Sequence, residues 1–229
     1  TGCLFFDKME SKSQMVRLVV WSGLAVVILA VLFAFVREQR APSSSPADFG
    51  LAKRDLPVIS QLTDFKLTNQ LARPVGLARF ANKVWFADII FTRCPGPCPL
   101  MTRRMAELQA HFADEPDVAF ATLTTDPGHD SPGIMQRFAD RHGANNERWQ
   151  FLTGDKSAIV RLAVDEMKLI VREKPTGEQT TPEDLFIHAT LFVVIDRQGR
   201  LRGVLESLED NWKEKAIAIA GVLLKEPSL

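Results

Sequence analysis

The longest apolar stretch of the chain is LVVWSGLAVVILAVLFAFV, Leu18 to Val36, nineteen residues without a charge. As a helix it would rise about 28 Å, enough to cross a hydrocarbon core of about 30 Å. It exceeds the apolar core of a typical signal peptide and no small-x-small cleavage site follows, so the pattern predicts a retained single-span anchor. Lys8, Lys12 and Arg17 precede the run, and Arg37, Arg40, Lys53 and Arg54 follow it. The positive-inside rule therefore leaves the orientation open. The following APSSSPADFG is small, Pro-rich and Ser-rich, the composition of a flexible tether. The expected organisation is a tail over 1–17, an anchor over 18–36, a linker over 37–50 and one domain over 51–229. The chain opens on Thr1, and Met15, just before the apolar run, would serve as a start.

Within the domain the periods alternate. KVWFADIIF (Lys83–Phe91) is a nearly continuous apolar run, as expected of a central strand covered on both faces. Pro99–Phe112 carries Met101, Met105, Leu108 and Phe112 at helical spacing, which assigns both methionines to a core stripe rather than to a metal. VAFATLT (Val118–Thr124) is a second strand. Ser131 with Pro132 marks the start of a helix that stops at Gly143. WQFLTG is a short third strand, Asp155 can cap a helix running through Met167, and LIVRE reads as an edge strand. The polar stretch Lys174–Ile187 reads as a loop. ATLFVVID and RLRGVLES form a hairpin around Asp196–Gly199. Ser207 with Asp210 opens a last helix whose apolar face is Trp212, Ala216, Ile219 and Leu223. The alternation predicts an α/β domain, a mixed parallel and antiparallel sheet flanked by helices.

Composition narrows the function. Lys plus Arg and Asp plus Glu number 28 each, and no basic cluster tracks a phosphate backbone, which argues against a nucleic-acid partner. The three cysteines are Cys3, Cys94 and Cys98. They are too few for a disulfide scaffold and suit one metal or redox site. Cys3 lies across the expected anchor from the others and is left out of that site.

The chemistry concentrates in Phe91-Thr92-Arg93-Cys94-Pro95-Gly96-Pro97-Cys98-Pro99. It sets two thiols where a buried strand meets a helix N-terminus, the end at which open α/β sheets bind ligands. The helix dipole and unpaired N–H groups are expected to lower thiol pKa values there. Positions i and i+4 share a helical face, so both sulfurs can converge. Thiolates are soft and select Cu(I), zinc or iron–sulfur chemistry. Zinc and iron–sulfur sites call for more ligands than two cysteines, whereas Cu(I) is satisfied by two or three. A third ligand must come from His111, His129, His142 or His188. His111 is expected on the exposed face of its helix, and His142 suits a helix C-terminus. Spacing alone does not choose between His129, in TDPGHDSP, and His188, at the loop-to-strand junction of IHATLFVVID. Asp126 and Asp130 read as turn and cap residues. Asp88, in an apolar strand, could take a thiol proton during loading or be a structural acid.

FTRCPGPCPLM, TLTTDPGHDSP, WQFLTGDK and IHATLFVVIDRQGRLRG occur in order, and with them the region from Leu56 to Leu223 resembles the Sco/SenC family of copper proteins. The resemblance implies a thioredoxin-like fold, tethered to a membrane, that holds copper as Cu(I) or Cu(II) on Cys94, Cys98 and His188. It implies a role in delivering copper to, or preparing the thiols of, the dinuclear copper site of cytochrome c oxidase. The copper-site subunit would then be the partner, with another copper chaperone or a thiol reductant as further partners. It also implies a single-pass protein of the inner, cytoplasmic membrane with the domain on the periplasmic side. The sequence departs from the family at Leu191, where Arg is common. Where thioredoxins carry a cis-proline, His188-Ala189-Thr190-Leu191 has none, and the cysteines are one residue further apart than Cys-x-x-Cys. Both differences point from redox toward metal. The rival reading is a thiol–disulfide oxidoreductase in which Cys94 attacks and Cys98 resolves, with no need of His188. The loop 174–187 leads into His188 and is expected to be ordered by metal.

Overall fold

The computed structural model describes residues 21–33, 56–169, 171–173, 186–188 and 190–227, with 171–173 and 186–188 described by their backbone alone. The chain divides into two compact units, Thr1–Ser43 and Ser44–Leu229. In the first, residues 21–33 are helical and exposed throughout, from Trp21 at 68% to Phe33 at 70%. No described helix is long and apolar enough to cross a membrane. The remainder of the expected 18–36 span, the tail 1–17 and the linker 37–50 lie outside the described residues.

The second unit is built on an eight-stranded sheet. Its strands are β1 (Ser60–Gln61), β2 (Leu67–Asn69), β3 (Pro74–Val75), β4 (Val84–Ile90), β5 (Val118–Thr124), β6 (Trp149–Thr153), β9 (Leu191–Ile195) and β10 (Arg200–Glu206). Their order is β1-β10-β9-β4-β5-β6-β2-β3. β4, β5 and β6 are parallel, and every other neighbouring pair is antiparallel. β7 (Val171–Glu173) and β8 (Phe186–His188) pair separately. The helices are α1 (Cys98–His111), α2 (Pro132–Arg141), α3 (Lys156–Val160) and α4 (Trp212–Leu223).

All residues of β4, β5 and β6 are buried, as their continuous apolar runs require. Alternation along β4 divides the core in two. Val84, Phe86 and Ile90 pack with Met101, Met105 and Leu108 of α1, Met135 and Phe138 of α2, and Trp212 and Ile219 of α4. Trp85, Ala87 and Ile89 join the opposite layer, with Ile159, Leu162 and Met167. The expected mixed sheet between helices is therefore what forms. Met101 and Met105 are fully buried in it, and the predicted stripe of α4 is buried at all four positions.

Several boundaries differ from the sequence reading. β1, β2 and β3 carry no clear period. β2 is instead tied to β6 by polar side chains: Asn69 donates to Gln150 at 2.8 Å, and the Phe151 N–H donates to Gln70 Oε1 at 2.8 Å. The helix capped by Asp155 widens after Val160 into a π-helical segment, Arg161–Glu166. The last helix begins at Trp212, not at Ser207. Buried Ser207 is held as a turn, with its N–H donating to the Thr190 carbonyl at 2.7 Å and its own carbonyl accepting from Arg104. Ser131 sits at the N-cap of α2, but its side chain makes no capping bond, so Pro132 carries the start signal. Finally, Phe186 and Ile187 belong to strand β8 rather than to a loop, while 174–185 lie outside the described residues.

Candidate metal centre

β4 delivers the cysteine loop to one end of the sheet. After Ile90 the chain turns, with the Cys94 N–H donating to the Phe91 carbonyl at 3.1 Å. α1 opens at Cys98 with Pro97 as its N-cap. Cys94 is half-buried and Cys98 is fully buried, and the two thiols are hydrogen-bonded to each other rather than joined as a disulfide. The Gly96 N–H points to the Cys94 sulfur at 3.4 Å. The sulfurs meet, but not on a shared helical face: α1 begins at Cys98, and Cys94, the more accessible thiol, lies in the turn before it.

The expectation of lowered thiol pKa values fails at Cys98. Burial pushes this thiol far above the ordinary cysteine range, and the hydrogen bond and charge of Cys94 push the same way. A Phe91 backbone hydrogen bond pulls it back, and the Asp88 carboxylate adds a further upward push. Desolvation outweighs the helix dipole because Cys98 is 0% exposed. Asp88 is itself fully buried, on the β4 face that carries Phe86 and Ile90 toward α1.

A rigid brace fixes the loop from the side. Asp130 is fully buried and accepts from the Thr92 N–H at 3.1 Å, from Thr92 Oγ1 at 2.5 Å and from Thr124 Oγ1. Arg93 pairs with Asp126 at 2.7 Å. The two aspartates thus hold the TDPGHDSP turn against the cysteine loop, a function that the sequence reading reduced to turn and cap chemistry. The signal was the spacing of two acids after a strand adjacent to the cysteine strand. Replacing Asp130 by Asn puts an amide donor where an acceptor faced hydroxyl donors. The expected cost is about 1–3 kcal/mol, read as a lower urea midpoint of the reduced protein. An unchanged midpoint would remove Asp130 as the brace.

The histidines separate. His111 is exposed on α1, as expected. His142 is the C-cap of α2 and packs on Phe138 at 4.7 Å between ring centres. Burial, with Arg141 and Arg103 nearby, lowers its pKa. His129 is half-buried in the braced turn, yet among the described residues no three His, Cys, Asp or Glu side chains form a group able to hold a metal. His188 ends β8 opposite Val171, rather than opening the next strand. β9 runs antiparallel to β4, with Val193 opposite Ala87. Its start at Leu191 therefore lies at the sheet end from which the cysteine loop leaves, three residues beyond His188. Leu191, the departure noted in the sequence, is half-buried and packs against the core layer of Trp85 and Ile89.

The donor set suits a soft metal ion. Two adjacent sulfurs, one of them buried and held protonated by its surroundings, are relieved of that desolvation when a cation replaces the proton. The SCO1/SenC family model matches residues 58–223. The chain belongs to the SCO1/SenC family. The SCO1 protein homolog of Bacillus subtilis (strain 168) is 34% identical over 147 residues, covering 63% of this chain and 73% of that one. Among solved structures, a SCO1/SenC family lipoprotein from Bacillus anthracis str. Ames is 30% identical, with a TM-score of 0.66 over 74% of this chain and 98% of its own. BsSco, a member of the Sco family of cytochrome c oxidase assembly proteins in which a disulfide switch was identified, is 28% identical, with a TM-score of 0.64 over 76% and 98%. Bradyrhizobium japonicum ScoI with copper bound shares the fold at 23% identity, with a TM-score of 0.58 over 71% and 98%. The mixed sheet of this SCO1/SenC chain is thus the thioredoxin-like sheet of its family, and Sco homologues are known with copper bound.

Proposed function

We propose that this SCO1/SenC chain is a membrane-anchored copper metallochaperone that serves the dinuclear copper site of cytochrome c oxidase. The observation that carries the reading is the meeting of Cys94 and Cys98 at the end of the central strand. In this reading both sulfurs, as thiolates, and the His188 imidazole hold the copper cargo. Cys98 anchors it from the buried side and Cys94 from the accessible side, where a receiving protein could exchange ligands. The Asp130 and Asp126 brace keeps the two sulfurs placed before the metal arrives, and the buried Asp88, whose charge is felt at Cys98, is the candidate acceptor for its proton. Placement in the inner membrane, with the domain on the periplasmic side, rests on the apolar run 18–36 and the family's assembly role. Partners would be the copper-site subunit of the oxidase and a thiol reductant or second copper chaperone.

A second reading, thiol–disulfide exchange on partner cysteines, is favoured by the direct thiol–thiol hydrogen bond and by the accessibility of Cys94 alone. His188 separates the two. The full chain, reduced and held in an uncharged detergent, is expected to retain one copper against a competing chelator, and His188→Ala is expected to lose it. Equal retention by both proteins would remove His188 from the site. Weak copper binding by both, with efficient disulfide reduction, would favour the second reading.

A further inference from the structure

One cluster of cations lies far from the cysteines. Arg73, Arg79, Lys83 and Arg148 line a pocket of about 490 Å³, closed below by Phe80, whose ring stacks on Trp85 at 4.2 Å. Lys83 immediately precedes β4, and Val118 and Ala119 at the start of β5 also line the pocket. The cysteine loop leaves the other end of β4. Seven residues of strand separate the two ends by roughly 23 Å.

Three of these cations are anchored on backbone carbonyls. Arg148 donates to the carbonyls of Phe112, Ala113, Glu115 and Val118. Lys83 donates to the Pro116 carbonyl at 2.9 Å, and Arg79 to the Glu147 carbonyl. Arg73 is exposed. Among the described residues none of the four is paired with a carboxylate, and the only acid in the lining is Glu147. Backbone carbonyls fix the side chains in place without cancelling their charge. Arg104 is held on carbonyls in the same way, whereas Arg197 and Arg93 are paired with Asp117 and Asp126. The chain as a whole has a formal net charge of +0, so this excess is local.

We propose that this pocket is a binding site for a multiply charged, phosphate-bearing anion, separate from the cysteine site. Arg73 and Arg79 can offer guanidinium N–H groups to phosphate oxygens, while Arg148, whose donors are engaged by carbonyls, and Lys83 add positive charge. A free phosphate compound and a phospholipid headgroup offer the same chemistry, and the experiment distinguishes them. The copper-free full chain in an uncharged detergent is titrated calorimetrically with pyrophosphate, and separately with a short-chain phosphatidylglycerol, at constant ionic strength. Saturable binding is expected for at least one of them: pyrophosphate alone assigns a free anion, and the lipid alone assigns a headgroup. Arg73→Glu with Lys83→Glu should weaken that binding by about tenfold or more while copper stoichiometry stays unchanged. Arg73→Ala, at an exposed side chain with no hydrogen bond or ion pair among the described residues, should weaken it by about threefold even if the double variant folds poorly. Failure of both ligands to saturate, or equal binding by Arg73→Ala and the parent, would overturn the proposal.

Discussion

Replacing Arg202 by alanine is expected to destabilise the domain by about 3–5 kcal/mol, the range for breaking a buried ion pair by removing one partner. The Arg202 guanidinium is 5% exposed and joins three distant parts of the chain. It donates to the Leu56 carbonyl at 2.7 Å, to Asp196 Oδ2 at 2.8 Å and to both oxygens of Glu226 at 2.7 and 2.8 Å. Removing it strands Asp196, 2% exposed, with Arg200 and two backbone N–H groups as its remaining donors. Urea unfolding of the reduced protein checks the size, and a loss under about 1 kcal/mol would show that Arg200 and solvent compensate. The pair Arg202→Met with Asp196→Asn should lose less than Arg202→Ala, because no charge is left buried.

The same network sets an acid limit. Burial of Asp196 works to raise its pKa, but hydrogen bonds from Arg202, Arg200 and the turn backbone outweigh it, so the carboxyl titrates below the ordinary aspartate range. A depressed folded pKa contributes stability that is present above the unfolded value of about 3.9 and is lost as pH falls through the folded value. Loss in that acid window should be smaller in the Arg202→Met, Asp196→Asn pair than in the parent.

Much of this architecture could be read from the sequence, because burial writes periods. The runs of β4 and β5, and the stripe Met101, Met105, Leu108 and Phe112, follow from sheet and helix geometry alone. β1, β2 and β3 are two or three residues long and are held by partners from elsewhere in the chain, so they leave no period to find. The cysteine pair was equally plain, since two prolines and a glycine between thiols do not make a packing surface. The protonation of Cys98 was not. A helix N-terminus is visible in sequence, whereas the burial of the sulfur on the first residue of α1 is a property of the packed fold. The brace was also hidden, because Thr92 and Asp130 are 38 residues apart. Spacing left His129 and His188 open as third ligands. β-sheet register, invisible in the sequence, brings the chain after His188 to the cysteine end.

Copper(I) affinity should rise about tenfold per pH unit for each thiol proton displaced, and Cys98 carries such a proton throughout the neutral range. The raised thiol pKa means that metal competes with hydrogen ion for Cys98 until the solution is strongly alkaline. Proton release on loading, measured in weakly buffered solution, and chelator competition at several pH values check this from two sides. A pH-independent affinity would mean that Cys98 already binds as a thiolate before copper arrives. Cys98→Ser should abolish copper retention, since a buried hydroxyl keeps its proton and is a hard, weak donor to Cu(I). Cys94→Ser should do the same while leaving the fold intact, because Cys94 is half-buried in the turn before α1 rather than enclosed in the core like Cys98. The copper-free reduced protein carries the converse signature. A thiol whose pKa is raised on folding contributes stability that is complete below the unfolded value of about 8.5. Above it, stability declines by up to about 1.4 kcal/mol per pH unit. Copper should abolish that alkaline decline, and Cys98→Ser should lack it without any metal. A parent protein equally stable on both sides of the unfolded thiol pKa would show that Cys98 is not desolvated, and the pH dependence of loading would lose its cause.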